Sequence, residues 1–322
     1  MNTKALLKKL QPLIALVVMV VLLALASDRF LTVANQRNIL LQISVNLCLS
    51  IGMTLVILTG GIDLSVGAML ALAGAVAAGL LKNGLVLKVF GVVLQFTPFG
   101  AMVAGILVGL ALGLFNGVAI TKFRLPPFIA TLGMLSIARG LTMLWTGGNP
   151  VTDLGPKFGF IGTGTLLGVP MPIWVSAMLV VVFYIVLKNT RLGRYIYAVG
   201  GSEKATAFSG INVNRVKLWV YALAGVLAAV AGLIITARLD AADPKAGLSY
   251  ELDSIAAVVI GGTSLSGGRG SIFGTVLGCL IIGVLNNGLF MLGVSPFWQL
   301  VVKGFVILVA VAVDQLSVDR RE

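Results

Sequence analysis

The sequence predicts an all-α integral membrane protein with about ten transmembrane helices, some broken at glycine-rich turns, and with both termini in the cytoplasm. Three observations carry that prediction. Hydrophobic residues fill 58% of the 322 positions and charged residues only 11%, with a mean hydropathy of +1.07, beyond the composition of a soluble domain. The apolar residues fall in long runs, many near the roughly 20 positions that a helix needs to cross a hydrocarbon core. Cations gather between the runs, with about twice as many on the side this topology places inside as outside.

Taken in order, Lys4, Lys8 and Lys9 precede an apolar run at 12–26 that ends in Ser27-Asp28-Arg29. With Ala24-Leu25-Ala26 this imitates a cleaved signal peptide. The later spans need an orientation, however, so a retained first span with its N-terminus inside is expected. The second span, 39–59, runs inward and the third, 62–81, outward, with Gly60-Gly61 at their joint. Between 82 and 98 the apolar part, 86–96, is too short to cross and is expected at the interface or packed on the bundle. A fourth span, 99–121, returns to the basic turn Lys122-Phe123-Arg124, and a fifth, 128–145, leads to an external, irregular Gly/Pro-rich loop at 147–172. Spans six (173–187) and seven (218–237) flank a basic stretch, and the acid-rich loop 238–253 faces outside. Residues 254–260 are apolar but short and 261–270 glycine-rich, which predicts a broken eighth span; spans nine (272–292) and ten (296–313) follow, with Arg320-Arg321 inside. Ten spans occupy about two thirds of the chain. Residues 1–322 are therefore expected to form a single transmembrane domain.

The basic stretch, 188–217, sets six cations (Lys188, Arg191, Arg194, Lys204, Arg215, Lys217) against one acid, Glu203, and so belongs in the cytoplasm. Within it Ser202 is placed to cap a short helix over Glu203, Lys204, Ala205, Thr206, Ala207 and Phe208, which Gly210 ends. A short capped helix held between two spans suits the grip of a soluble partner.

Several function classes drop out. The chain has no histidine, which removes imidazole acid/base catalysis and His-ligated metal sites. No GxxxxGK[ST] loop is present, so ATP binding through a P-loop is not expected. Cys48 and Cys279 lie in apolar runs without metal-ligand spacing. The net charge of +12 reflects membrane topology rather than nucleic-acid binding.

Polar groups inside the spans are the candidates for a passage, because a charge near the bilayer centre costs on the order of 3 kcal/mol even on insertion scales. Asp63 and Ser65 lie on the turn GGIDLSVG, where the acid is read as lining the passage, pinning a broken backbone or capping the next helix. Arg139 sits deep in span five, and Lys303 is placed to snorkel from span ten. Ser44, Asn46, Asn116, Asn286 and Asn287 either meet the hydroxyls of a passing solute or join helices to one another. No carboxylate pair shares a span, so the path is neutral and fits an uncharged hydrophilic solute moved by an external energy source. Residues 60–67 and 261–268 both read GGxxLSxG, an internal echo of the kind found in transporter cores.

Four stretches resemble the permease subunits of bacterial sugar ABC importers: 53–67 (MTLVILTGGIDLSVG), 190–201 (TRLGRYIYAVGG), 209–213 (SGINV) and 250–268 (YELDSIAAVVIGGTSLSGG). The order and length of these motifs make the resemblance specific, and it covers nearly the whole chain. It implies a multi-pass protein of the bacterial inner membrane that works as two permease copies, with a cytoplasmic ATP-binding subunit and a periplasmic sugar-binding protein. ATP and magnesium would be used by the ATPase, with no cofactor bound by this chain. The implied cargo is a monosaccharide, D-ribose foremost, with xylose, galactose, arabinose or an autoinducer furanoside as alternatives. The family's coupling segment falls on Gly200, Gly201, Ser202, Glu203, Lys204, Ala205, Thr206 and Gly210, the same short helix that charge and capping predict. Residues 82–98 depart from the family in being longer.

Overall fold

A computed structural model describes residues 3–87 and 91–319; residues 88–90 and the terminal Arg320-Arg321 pair lie outside them. The first helices are α1 (Thr3–Ala26), α2 (Val33–Leu58) and α3 (Val66–Asn83). Thr32 caps α2 by accepting from the Asn35 amide, and Pro12 lies within α1. The stretch expected at the interface or packed on the bundle forms a hairpin, β1 (Leu85–Leu87) paired antiparallel with β2 (Val92–Leu94). Gly84 at its start adopts φ +67°, and the valines and leucine of β2 are exposed. Short β-branched segments flanking a turn pair with each other more readily than they form an isolated helix turn.

Helices α4 (Pro98–Thr121) and α5 (Pro127–Thr146) follow. The loop expected to be irregular has structure of its own: strand β3 (Val151–Thr152), helix α6 (Pro156–Thr163) and a two-strand turn, β4 (Thr165–Leu166) with β5 (Val169–Pro170). Then come α7 (Met171–Asn189), α8 (Arg191–Gly201), α9 (Glu203–Phe208), α10 (Val213–Leu239), β6 (Ala241–Ala242), α11 (Tyr250–Ile260), α12 (Ile272–Met291) and α13 (Pro296–Asp319). Strand β6 pairs with β3 and ties two distant loops together.

Among the described residues, seven helices are long and apolar enough to cross a membrane: α2, α3, α4, α5, α7, α10 and α12. The apolar parts of α1 (Pro12–Ala26) and α13 (Pro296–Ala312) are shorter. At 11 residues α11 spans about 16 Å, roughly half a hydrocarbon core. The predicted break near 260 is therefore a half-helix followed by a glycine-rich turn.

Helix α10 is the hub, packed on α2, α3 and α4. Its contact with α4 follows a row of glycines four positions apart, in which Gly105 lies nearest Ala73 of α3 and is followed by Gly109, Gly113 and Gly117. A side chain at any of the last three would run into α10, at Gly225, Tyr221 or Leu218. Small residues at this spacing let two backbones approach, which is what drives helix association where lipid is as apolar as the side chains. The outward faces of α5, α7 and α13 stay largely apolar and exposed, including Leu144, Val181 and Phe305, as a lipid-facing surface requires.

Candidate functional site

A cavity of about 420 Å³ opens where α2, α10, α11, α12 and α13 do not close on one another. Two residues predicted from sequence, Asn46 on α2 and Asn286 on α12, line it together. Asn46 accepts from Ser254 at 3.3 Å, whereas the buried Oδ1 of Asn286 has no partner. Sequence reasoning missed the other polar lining: Gln42, Arg238, Tyr250, Gln299, and the ion pair between Lys303 Nζ and Asp253 Oδ2 at 2.9 Å. Lys303 thus turns into the bundle rather than snorkelling. Its acid partner comes from a half-helix whose first turn holds both Glu251 and Asp253. An isolated charge at that depth has to find a counterion, and Asp253 lay fifty positions away in a loop read as external.

The remaining predicted path residues are pinned elsewhere. Ser44 bonds back to the Leu40 carbonyl at 2.7 Å. Asn287 exchanges two amide hydrogen bonds with Asn35, at 2.9 and 3.0 Å, and joins α12 to α2. Arg139 donates to the carbonyls of Pro244 (2.6 Å) and Ala246 (2.9 Å), holding the chain between β6 and α11 against α5. Asp63 is fully buried on the turn before α3; its Oδ1 accepts from the Ser65 amide (2.9 Å) and hydroxyl (2.5 Å). Asn116 then donates to Ser65 Oγ at 3.0 Å. The acid pins a broken backbone, while Ser65 occupies the cap position of α3 with its hydroxyl turned to Asp63 rather than to the helix amides.

At the other end of the bundle the basic stretch forms two helices where one was expected. Thr190 caps α8 through Gly193 N, and Ser202 caps α9 through Ala205 N at 3.2 Å. Gly210 at φ +81° ends α9, and Lys217 ties Glu203 to α10 at 2.5 Å. Phe208 projects from the end of α9 with 91% of its surface exposed. Lys204, Ala205 and Gly201 are exposed too, whereas Thr206 bonds back to the Ser202 carbonyl and is buried.

The two echoed turns meet at α8. Gly268 N donates to the Leu58 carbonyl at 3.0 Å, which locks the turn after α11 to the end of α2. Gly200 lies against both: a Cβ there would fall on the Leu58 oxygen and the Gly268 nitrogen. Tyr197, one turn earlier, donates to the Gly270 carbonyl at 2.9 Å, and burial holds its phenol above the ordinary range, so it stays a donor. The echo is not a full structural repeat, because Asn116 serves its own half's turn while Asn287 turns to Asn35.

Repeated apolar helices, a broken span beside a polar cavity and a solvent-facing capped helix define a multi-pass membrane transport protein. The family described as branched-chain amino acid transport system / permease component matches residues 35–311, and the chain belongs to that family. The ribose import permease protein of Escherichia coli is 50% identical over 316 residues, covering 97% of this chain and 95% of its own. Its counterpart in Bacillus subtilis is 50% identical over 310 residues, 96% of this chain and 93% of its own. The galactose/methyl galactoside import permease protein of Salmonella typhimurium is 38% identical over 319 residues, 96% and 94% of the two chains. No solved structure matches the chain.

Proposed function

We propose that this chain is the permease subunit of an ATP-binding cassette importer for a monosaccharide, D-ribose first. The carrying observation is the nearly full-length identity of one residue in two to ribose import permeases, against 38% to the galactose/methyl galactoside relative. A second reading, another monosaccharide, is favoured by the 42% identity to a D-allose transport system permease protein of Escherichia coli. The chain forms one domain, pairs with a second copy, and sits in the inner membrane with about ten crossings and both termini in the cytoplasm. A separate cytoplasmic subunit binds ATP and magnesium, and a periplasmic binding protein delivers the sugar. No cofactor belongs to this chain.

On this reading α9 is the coupling helix. Its exposure, its capping by Ser202 and the bare Phe208 ring support a socketed contact with the ATPase. ATP-driven closure of the ATPase pair would move α8 and α9, and the two copies would rock to open the passage outward. Asn46 and Asn286 belong to the passage. Ser44, Asp63, Ser65, Asn116, Arg139 and Asn287 hold its frame.

The test is reconstitution with the cognate ATPase and binding protein, measuring sugar uptake and sugar-stimulated ATP hydrolysis. Gly201→Trp, placed where nothing lies within 4 Å, and Phe208→Asp should both insert normally yet abolish uptake. Unchanged uptake in both variants would overturn the coupling role of α9. Accumulation of sugar by the chain alone, driven by a proton gradient, would replace the importer with a secondary transporter.

A further inference from the structure

We propose that the groove between α8 and α10 seats the headgroup end of an anionic phospholipid, with its phosphate on Arg215 and its upper acyl chains against Trp219. This goes beyond the transport role and does not depend on which sugar is carried.

The groove, about 540 Å³, is lined by Leu192 and Tyr195 of α8, by the joint 210–212, and by Arg215, Val216 and Trp219 of α10. Helix α8 sends Gly193, Ile196 and Val199 into the bundle and leaves Arg191 and Arg194 exposed, with Leu192 and Tyr195 half-buried along the groove. An interfacial helix divides its faces in this way, with cations on the headgroup side. On α10, depth sorts the residues to the same effect. Its 27 residues run about 40 Å, the thickness of a hydrocarbon core with its two headgroup layers. Arg215 lies about 3 Å and Trp219 about 9 Å from the start of that helix. With α10 centred on the bilayer, Arg215 stands at phosphate level. The Trp219 ring, 55% exposed, stands one turn deeper at the edge of the hydrocarbon, where aromatic belts sit.

Charge selects the lipid. No acid lines the groove, and among the described residues Arg191, Arg194 and Arg215 make no ion pair. Glu203, the one acid of the basic stretch, is taken by Lys217. Asn212 Oδ1 accepts from the Arg215 amide at 3.0 Å, so what Asn212 still offers is its side-chain N–H donors. The polar edge therefore presents donors and positive charge, which a phosphate satisfies. A zwitterionic headgroup would bring a further cation beside Arg215, whereas that of phosphatidylglycerol brings none. Basic pockets between spans are suited to such headgroups. A soluble partner fits less well, because Trp219 lies below the headgroup layer. Helices α8 and α10 flank α9, so a lipid seated here steadies the frame from which α9 projects.

The experiment places the full chain in phosphatidylcholine nanodiscs doped with either phosphatidylglycerol or phosphatidylcholine carrying brominated acyl chains, and reads the quenching of tryptophan fluorescence. Trp219→Phe supplies the background from Trp145, Trp174 and Trp298. Brominated phosphatidylglycerol should quench Trp219 at about tenfold lower content than brominated phosphatidylcholine. Arg215→Gln should cut that preference about fivefold, the weight of one cation at an anionic surface. Lys188→Gln, which removes a charge from the same stretch outside the groove, should leave it unchanged. Equal quenching by the two lipids in the parent chain overturns the proposal. So does an equal loss from Arg215→Gln and Lys188→Gln, which would mean a diffuse surface potential. Quenching abolished by adding the cognate ATPase would assign the groove to that partner instead. If Arg215→Gln is not monodisperse, the parent chain decides alone: its preference should shrink as salt rises from about 0.1 M to about 1 M, and a preference indifferent to salt refutes the contact with Arg215.

Discussion

Gly200 and Gly201 are neighbours with opposite requirements, and alanine at each separates them. At Gly200 a Cβ would occupy the space of the Leu58 carbonyl oxygen and the Gly268 nitrogen, two backbone atoms that cannot swing aside. Overpacking of this kind costs about 1–3 kcal/mol. Prising Gly268 N from Leu58 O, now 3.0 Å apart, adds about 1 kcal/mol. Replacing glycine by alanine at a helix position returns up to about 1 kcal/mol, leaving Gly200→Ala destabilised by about 1–3 kcal/mol. At Gly201 nothing lies within 4 Å of the added carbon, so only the favourable change in helix propensity remains. Thermal unfolding of the purified chain in detergent should show a lowered midpoint for Gly200→Ala and an unchanged or raised one for Gly201→Ala. Equal midpoints would refute the claim that α8 is clasped between the two glycine turns.

Two other substitutions address the bundle. Gly113→Leu would drive a side chain into the Tyr221 carbonyl and Ala222 of α10, so the monodisperse fraction on size-exclusion chromatography should fall sharply. Lys303→Met should cost about 3–5 kcal/mol by leaving the Asp253 carboxylate buried and alone. Adding Asp253→Asn should restore most of that loss, which a double-mutant cycle on unfolding midpoints would measure.

What was legible in the sequence is what lipid enforces locally. Each long apolar run became a helix, and Ser202 capped the short cytoplasmic helix as its spacing to Ala205 required. The break near 260 was visible in its glycines, and α11 ends at Ile260. The pairing of β1 with β2 was not visible, because the eleven positions 86–96 are too few to carry a period that identifies a strand. Nor were the partners of the polar residues. Asn46 and Asn286 share a cavity while Asn287 faces Asn35, and one step along α12 rotates a side chain by about 100°. Which of two adjacent asparagines faces inward depends on where α2 and α13 pack. Lys303 shows the same limit: it was expected to snorkel, and nothing near it in sequence named its partner Asp253.

The cavity and the clasp at Gly200 share their walls. Helix α2 carries Asn46 in the cavity and Leu58 in the clasp, 12 residues or about 18 Å apart along one rigid element. The chain from Asp253 through α11 reaches Gly268 and then continues as α12, which returns to the cavity at Asn286. Displacing α8 therefore pulls on both sides of the cavity at once, through two turns already bonded to each other. Spin labels at Gln42→Cys on α2 and Phe290→Cys on α12 would read that motion, with the buried Cys48 and Cys279 replaced by alanine. In the assembled importer, ATP should change the distance between the labels in the parent chain. With Gly200→Ala the change should shrink or vanish, because the clasp no longer seats. The same change in both chains would mean that the cavity moves independently of α8, and the glycine turns would then be packing alone.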